Sequence, residues 1–519
     1  MKVLLIQPSE FADDTITPEY KKRGRLKVLA KSVIMRPACL PPMGLLYVAN
    51  SIKRANHEVA IIDAVTLQLT NREIVQEIVH WTPDLVGISL YSWRLREAHS
   101  LTASIKKALR IPIVLGGPHP TALPDETLAE FKDADFLLTG WADFSIINFL
   151  DMLEGRTGQT TVPGLCYRAN NTITKNSPST LPSNLDEIPF PDRSVIDYMY
   201  DNDLYYNITT PNRKIDIIMT SRNCPFTCRF CQNLTGHKYL PHSPEHVIEE
   251  IDYLVSRGVS SIEIMDDTFT VNRKRVEKIF DLIESRHHGL DFRIRSRVNL
   301  IDKQLLHRFK RIGGRAVSYG LESGSDAVLG LMHKQTTVAD NAAACLATKE
   351  AGLICHSTWL FGWPGESLED IDCTFEFIKQ YLPTTFNIGV LIPLPGTPIY
   401  DEARENGTLD KDWSVTNTSL PYVKTALWPN RADLVRLLDR KMFYLQINPR
   451  YLWQTMLLIV RFRNTRLFSY GANVVFRKVC RAAFYSAVFL WRQPQQTFGR
   501  LSHVIERAIK KPRIRGHKS

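Results

Sequence analysis

The chain has 519 residues, of which 44% are hydrophobic and 23% charged, a composition that suits two or three globular domains and excludes a disordered protein. Nine dispersed cysteines exclude a dense disulfide framework and favour a reducing, cytoplasmic environment. The net charge of +11 is uneven, because residues 450–519 carry fifteen Lys or Arg and a single acid, Glu506, whereas the rest of the chain is nearly neutral.

Strand and helix patterns alternate in the first part of the chain. Apolar runs predict five buried strands at 2–8, 57–63, 83–92, 111–121 and 133–140. Helical periodicity separates them at 41–55, 70–81, 96–109 and 144–154. This alternation predicts a doubly wound parallel sheet over residues 1–155, whose ligands bind at the carboxyl ends of its strands. Residues 9–40 are polar and basic, and we interpret them as a long insertion or lid.

Small residues follow several of these predicted strands. They let a large ligand approach backbone amides, although a glycine at a strand end is often only part of a turn. The candidate ligand-binding residues at this edge are Ser89, Leu90, Gly116, Gly117, Gly140 and Trp141.

A second α/β region follows a linker. Residues 156–212 contain several prolines and few periodic runs, which predicts an extended linker with a small hairpin. Between residues 213 and 407, helices separate six predicted strands, at 214–221, 260–267, 291–298, 316–323, 354–362 and 386–394. We expect an open six-strand barrel of the TIM type with its site at the C-terminal strand ends.

Three cysteines follow the first strand of the predicted barrel. Cys224, Cys228 and Cys231 are spaced by four and three residues, and thiolates at this spacing can hold three corners of a cubane iron–sulfur cluster. The fourth iron is then open to a substrate. Phe230 precedes the last cysteine and could shield the cluster from water. A structural zinc site or three unrelated thiols is the alternative, but zinc usually needs four closed ligands.

Polar residues and glycine turns mark the later strand ends of the barrel. Single acids are usually solvated or salt-bridged, but their joint placement after a cluster motif favours a binding site. The candidates are Asp266, Asp267, Ser296, Arg297, Glu322, Gly362 and Pro395. Cys355 lies on a later strand and could quench a radical or supply a second thiolate, although a buried small hydrophobe is the interpretation that we favour.

Two sets of motifs resemble known families. The CxxxCxxC spacing with an aromatic before the last cysteine resembles the radical S-adenosylmethionine (SAM) enzymes. PPMGLLYVA at 41–49 and GGPHPTALP at 116–124 resemble the cobalamin-binding domain that precedes many radical SAM barrels. The resemblance spans about residues 1–407 and includes the subgroup of Mg-protoporphyrin ester cyclases and C-methyltransferases.

The resemblance implies three cofactors. A [4Fe–4S] cluster on the three cysteines would bind SAM, with Phe230 and the seven strand-end candidates of the barrel around it. Cobalamin would bind at the six candidates of the first sheet, and a flavodoxin or ferredoxin would supply electrons. No histidine precedes His57, so cobalt is expected without a lower histidine ligand. Gly140-Trp141-Ala142-Asp143 replaces the Gly-Glu-Gly-Glu of relatives, and Trp141 could pack on the corrin.

The implied reaction is cleavage of SAM to a 5′-deoxyadenosyl radical, followed by cobalamin-dependent methylation of an unactivated carbon. Radical oxidation, cyclisation or rearrangement without methyl transfer is the first alternative. A module that holds cobalamin without turnover and an RNA-modifying enzyme are the others.

The last region, 408–519, mixes apolar and basic residues and is predicted to be helical. It has no run of 18 apolar residues that could span a membrane. Basic amphipathic helices often lie on anionic membranes, so we expect a cytoplasmic protein with peripheral contact at the inner face and a hydrophobic substrate such as a lipid, isoprenoid or tetrapyrrole. A helical cap with a solvated basic face is the alternative, and nucleic acid is not the expected partner.

Overall fold

The computed structural model describes residues 1–9, 38–170, 172–179, 182–207, 213–286, 289–446, 448–451 and 453–454. These residues belong to one unit, Met1–Gln454. Most of the predicted insertion at 9–40 and the basic segment at 455–519 lie outside the described residues.

Strands and helices alternate through most of this unit. The strands are β1 (Lys2–Gln7), β2 (Ala38–Cys39), β3 (Glu58–Asp63), β4 (Leu85–Ser89), β5 (Ile113–Gly116), β6 (Phe136–Leu138), β7 (Leu165–Ala169), β8 (Thr172–Lys175), β9 (Tyr206–Asn207), β10 (Ile215–Ile218), β11 (Ser221–Arg222), β12 (Leu240–Pro241), β13 (Ser261–Ile264), β14 (Asp291–Ser296), β15 (Gly314–Glu322), β16 (Ile354–Phe361) and β17 (Thr385–Val390). The helices are α1 (Met43–Arg54), α2 (Ala64–Leu67), α3 (Asn71–Trp81), α4 (Leu95–Ala108), α5 (Pro118–Ala122), α6 (Pro124–Glu130), α7 (Ala142–Leu153), α8 (Asp197–Asp201), α9 (Pro244–Ser256), α10 (Arg273–Arg286), α11 (Lys303–Arg311), α12 (Asp326–Leu331), α13 (Val338–Glu350), α14 (Leu368–Tyr381), α15 (Pro398–Glu405) and α16 (Arg431–Gln446).

The first sheet confirms the predicted doubly wound architecture. Its strand order is β3-β1-β4-β5-β6-β7-β8, and the first five strands are parallel. Helices α1 and α7 bury their apolar sides on one face, whereas α3, α4 and α6 cover the other. The hairpin expected in the linker is β7–β8, and it extends this sheet in antiparallel register.

The second sheet is the predicted six-strand barrel. Its order, β10-β13-β14-β15-β16-β17, follows the chain, and every adjacent pair is parallel. Because strand side chains alternate, one face packs under the helices, with Ile264, Ile294 and Val317 in a large apolar core. The other face lines the barrel lumen.

The two sheets contribute to one hydrophobic core, and a later segment of the chain packs against both of them. The cluster under α1 and α7 continues through α8 to Ile215 and Ile217 of β10. Trp413 packs into the core of the first sheet, and its indole N–H donates to the Pro393 carbonyl of the barrel. Leu434 and Leu438 of α16 pack into the barrel core, so 408–446 joins the two domains. Within the described ranges, no helix has the length and apolar character needed to cross a membrane.

Candidate functional site

A fully buried aspartate fixes the entry to the cysteine loop. Asp266, after β13, accepts hydrogen bonds from the backbone N–H and hydroxyl of Thr220, at 2.6 Å each, and from both groups of Ser221. Burial raises the pKa of Asp266, while these hydrogen bonds favour its charged form. Asp266, which the sequence predicted as a SAM ligand, thus holds Thr220 and Ser221, the residues that lead into the cysteine loop.

The three cysteines are free thiols with unequal environments. Cys228 is buried, Cys224 half-buried with its Sγ 3.6 Å from the Thr268 hydroxyl, and Cys231 exposed. A hydrogen bond from the Cys231 thiol is the largest effect that lowers the pKa of Cys228, and the charges of Lys334 and Arg297 act in the same direction. Iron binds thiolates, so this electropositive loop fits an iron–sulfur cluster with three protein ligands.

Arg297 joins the cysteine loop to the later strands of the barrel. Its guanidinium lies 3.9 Å from the Phe226 ring centre and donates to Cys228 Sγ at 3.4 Å. A second N–H bonds the Lys334 carbonyl. Its Nε is buried and has no hydrogen-bond partner in the described part of the chain. An unused donor beside the cluster loop suits an anionic group such as the carboxylate of SAM.

Glu322 occupies a strained position that depends on its neighbours. Its φ is +64°, and a side chain at Gly320 would collide with its carboxylate. Burial raises the pKa of Glu322, and the Lys334 ammonium, 3.4 Å away, acts against that shift. Lys334 therefore contacts both Glu322 and Arg297, and no sequence signal marked it because it lies on neither a strand end nor a recognised motif.

The remaining predicted residues of the barrel differ in their placement. Phe230 packs edge-on against Trp363, with ring centres 6.1 Å apart, and the Pro395 carbonyl accepts from Gln232, just after the loop. Gly362 donates to Glu366 in the next turn. Ser296 turns its hydroxyl to Thr270, at 2.6 Å, whereas Asp267 is exposed.

Cys355 lies away from the lumen. Its side chain is fully buried in the core under the helices, and its Sγ is 3.7 Å from Cys345 Sγ on α13. The catalytic role considered for Cys355 finds no support in this placement, which fits the packing interpretation. The adjacent His356 has the opposite orientation and faces the lumen side.

Five of the six candidates at the first sheet meet at one edge. The Leu90 N–H donates to the Gly116 carbonyl at 2.7 Å, and the Thr121 hydroxyl donates to the Gly117 carbonyl and accepts from the Gly140 N–H. Gly117 has a φ of +104°, and a Cβ there would lie 3.1 Å from the Leu90 carbonyl oxygen. Backbone groups thus line this edge beside Ser89. We call it the cradle, and it is where the sequence predicts that cobalamin binds.

The sixth candidate, Trp141, faces the barrel instead. Its ring centre lies 4.3 Å from the guanidinium of Arg222, and Tyr47 lies 4.9 Å from the same group. Arg222 Nη2 donates to Asp143 Oδ2 at 2.6 Å, with both side chains almost fully buried. We call these four residues the interdomain clamp. Tyr47, Asp143 and Arg222 were not among the site candidates predicted from the sequence, where Trp141 stood out only because it departs from the relatives.

A second group of metal-ligand types lies at the linker. Asp186, His242 and His246 place ligand atoms within 4.8 Å of one another. The two imidazoles are parallel within 6°, with centres 4.2 Å apart, so their in-plane lone pairs do not converge on one ion. Asp186 Oδ1 already accepts from the Ser243 N–H and contacts His242 Nδ1 at 3.1 Å. These residues form a hydrogen-bonded contact between the linker and the barrel.

Comparisons with known proteins match both domains of the chain. Residues 32–146 match the model of the B12 binding domain, and residues 218–378 match that of the radical SAM superfamily. An uncharacterized methyltransferase of Pyrococcus horikoshii is 30% identical over 418 residues, 79% of this chain and 89% of the relative. The anaerobic magnesium-protoporphyrin IX monomethyl ester cyclase of Rubrivivax gelatinosus is 27% identical, over 78% of this chain and 72% of that protein.

A solved structure has the same two-domain fold. The radical SAM methyltransferase TsrM of Kitasatospora setae, with cobalamin and a [4Fe–4S] cluster bound, superposes with a TM-score of 0.66. The two sequences are 16% identical, and the match covers 86% of this chain and 89% of that one.

Proposed function

Since the chain belongs to the B12-binding family of radical SAM proteins, we propose that it is a methyltransferase that methylates an unactivated carbon of a small molecule. Its cofactors are the [4Fe–4S] cluster, SAM and cobalamin, as expected from the sequence. When bound, these groups supply the radical that removes a hydrogen atom and the methyl group that replaces it.

The protein's own residues would hold and shield these groups. Cys224, Cys228 and Cys231 would hold the cluster, and the unpartnered Nε of Arg297 would meet the carboxylate of SAM. Phe230, next to Cys231, packs with Trp363 in an apolar cluster, which would limit the access of water to the cluster site. The backbone cradle around Gly117 would take cobalamin.

The observation that carries this proposal is the interdomain clamp. Methyl transfer requires the radical source and the methyl source to act on the same carbon, so their two sites must keep a fixed separation. Arg222 lies two residues before Cys224, whereas Trp141 directly follows Gly140 of the cradle and Asp143 lies three positions after it. A buried ion pair flanked by two aromatic rings therefore ties one edge to the other.

The products test this proposal. The protein, reconstituted without oxygen with iron, sulfide and hydroxocobalamin, should show both cluster and corrin absorption. With reductant, SAM and a small-molecule extract of its own cells, it should form S-adenosylhomocysteine and 5′-deoxyadenosine in about equal amounts, because each methylation consumes two SAM molecules. Formation of neither product would contradict the proposal and favour a module that holds cobalamin without turnover.

Radical oxidation or cyclisation is the second candidate, and the similarity to the Rubrivivax cyclase favours it. That reaction would give 5′-deoxyadenosine without S-adenosylhomocysteine, so the same assay separates the two. A lipid, isoprenoid or tetrapyrrole is the substrate class that we propose in either case, with a flavodoxin or ferredoxin as electron donor. Peripheral membrane contact through 455–519 is tested by co-sedimentation with anionic vesicles, which should weaken with salt.

A further inference from the structure

The lumen face of the barrel is polar on four adjacent strands. The parallel register aligns Glu263 with Arg293 on β13 and β14, and aligns Arg295, Ser318 and His356 across β14, β15 and β16. Their neighbours along each strand, such as Ile294 and Val317, point into the apolar core on the other face. A sheet that needed only to fold would bury apolar residues on both faces, so this polar lumen indicates a ligand.

Two arginines and one acid of this face lie close together. Glu263 is the acid that lies between the two arginines, 3.7 Å from Arg293 Nε and 3.9 Å from Arg295 Nη2, both longer than a hydrogen bond. Its Oε2 also lies 3.5 Å from Asn207 Nδ2. Arg293 is nearly buried, whereas the Arg295 side chain is 43% exposed toward the lumen. Among the described residues, Arg295 thus makes no hydrogen bond to an acid, and its N–H donors are open to a ligand.

His356 adds neutral hydrogen-bonding groups beside these charges. Burial lowers the pKa of His356 to about 4, and the charges of Arg293 and Arg295 act in the same direction. Its Nδ1 lies 2.8 Å from the Thr385 hydroxyl, and its Nε2 lies 3.5 Å from Asn387. The ring therefore does not compete with the arginines as a cation.

We propose that Arg295, with Arg293 behind it, binds an acid group of the substrate, either a carboxylate or a phosphate. This inference rests on the proposed function: Asp267, an acid whose pKa is raised by desolvation and lowered by the charge of Arg295, would bind the ammonium of SAM and leave Arg295 to the substrate. Guanidinium forks suit both acid groups, which they bind through paired N–H donors. The inference narrows the substrate class: a tetrapyrrole with free carboxylates or a phosphorylated isoprenoid fits the lumen, whereas a neutral lipid leaves Arg295 unpaired.

The test compares two arginines of one molecule. Arg315 on β15 has nearly the same exposure as Arg295, 46%, but its Nε donates to Asp291 at 2.7 Å. The reconstituted protein, saturated with SAM so that Arg297 is occupied, is treated with phenylglyoxal, and modification of each arginine is followed by peptide mass spectrometry. Inorganic pyrophosphate and benzoate serve as the phosphate and carboxylate probes.

A bound anion should protect Arg295 alone. For a site of millimolar affinity, about 10 mM probe slows modification about tenfold, while Arg315 reacts at an unchanged rate. Protection by pyrophosphate only indicates a phosphorylated substrate, and protection by benzoate only indicates a carboxylate. Absence of protection by both probes, or equal protection of Arg295 and Arg315, overturns the inference.

Two variants provide an independent measurement. Calorimetric titration with whichever probe protects should show binding in the wild type and in Arg315→Gln, and a loss of at least about tenfold in affinity in Arg295→Gln. Equal binding in the two variants contradicts the inference. SAM cleavage measured in the same preparations separates this result from the proposed function, because a failed anion site leaves cleavage to 5′-deoxyadenosine intact.

Discussion

The two parallel sheets present different kinds of carboxyl edge. In the first sheet the edge is made of backbone, with Gly117 and Gly140 in left-handed conformations and few charged groups. In the barrel the edge is made of side chains, with Cys228, Arg297, Lys334 and Glu322 in direct contact beside the other two cysteines. Ligand binding at a backbone edge depends on steric fit, whereas binding at a charged edge depends on the pKa values of its side chains and on their ion pairs. Substitutions at the two edges should therefore impair binding for different physical reasons.

The largest effect is expected at the cysteine loop of the barrel edge. Cys228→Ser removes the thiolate that lies against Arg297, so the cluster should not assemble, and SAM cleavage should fall to background. Iron content and the cluster absorption measure the loss. Cys373→Ser is the matched control, because Cys373 is exposed on α14 outside the loop, and it should keep both signals. Normal iron content in Cys228→Ser would contradict the assignment.

The clamp between the two edges should give the next largest effect. Arg222→Ala leaves the Asp143 carboxylate buried without its partner, which should lower the free energy of unfolding by about 3–5 kcal/mol. A double-mutant cycle with Asp143→Ala, followed by urea unfolding, isolates the coupling between them. Arg257→Ala is the control, since its pair with Asp197 is partly exposed and should be worth at most about 1 kcal/mol. If Arg222→Ala and Arg257→Ala lost similar amounts of stability, the clamp would contribute no more than a partly exposed ion pair.

The cradle of the first sheet should respond to a single methyl group. Gly117→Ala forces alanine into a left-handed conformation, with its Cβ 3.1 Å from the Leu90 carbonyl oxygen. We expect a loss of about 1–3 kcal/mol in stability and a weaker affinity for hydroxocobalamin, measured by thermal unfolding and by absorption titration. Gly44→Ala is the control: it lies on α1 with no atom within 4 Å of the added Cβ and should be neutral or slightly stabilising. Unchanged cobalamin affinity in Gly117→Ala would place the ligand elsewhere.

Local features of the sequence predicted the strands of both sheets and the cysteine loop. A buried parallel strand is a short apolar run, and the loop is a fixed spacing, so neither depends on distant residues. The clamp was not predictable in this way, because Arg222 and Asp143 are 79 positions apart and belong to different domains. The Trp141 departure was visible in the sequence, but its partner could be found only from the packing of the two sheets.

The face of a strand to which a side chain points was the second feature that could not be predicted from the sequence. Cys355 and His356 lie next to each other on β16, and residues on both faces of this strand are partly or fully buried. Without a clear alternation of apolar and polar residues, the sequence could not show which of them faces the lumen. The register with β15 and β17 decides it, since His356 aligns with Ser318 and Thr385. Lys334 was missed for a related reason: its contacts with Arg297 and Glu322 arise only from tertiary packing.

Per pH unit, the smallest expected effect is a pH dependence of stability at the turn after β16. Glu366 is buried and accepts from the Gly362 N–H, and burial raises its pKa to about 7. The folded state therefore holds a proton that the unfolded chain releases near its ordinary pKa, about 4.5. Stability from this group is complete at low pH and is lost as the pH rises toward 7, by up to roughly 1.4 kcal/mol per pH unit. Glu366→Gln should remove this dependence in urea unfolding between about pH 5 and 7, whereas Glu369→Gln, an exposed control on α14, should keep it. If the stability of the wild type and of Glu366→Gln changed with pH in parallel, the Glu366 carboxyl would be ionised in the folded protein. The barrel edge would then contain a buried negative charge in the turn after β16 as well as charged groups at the cysteine loop.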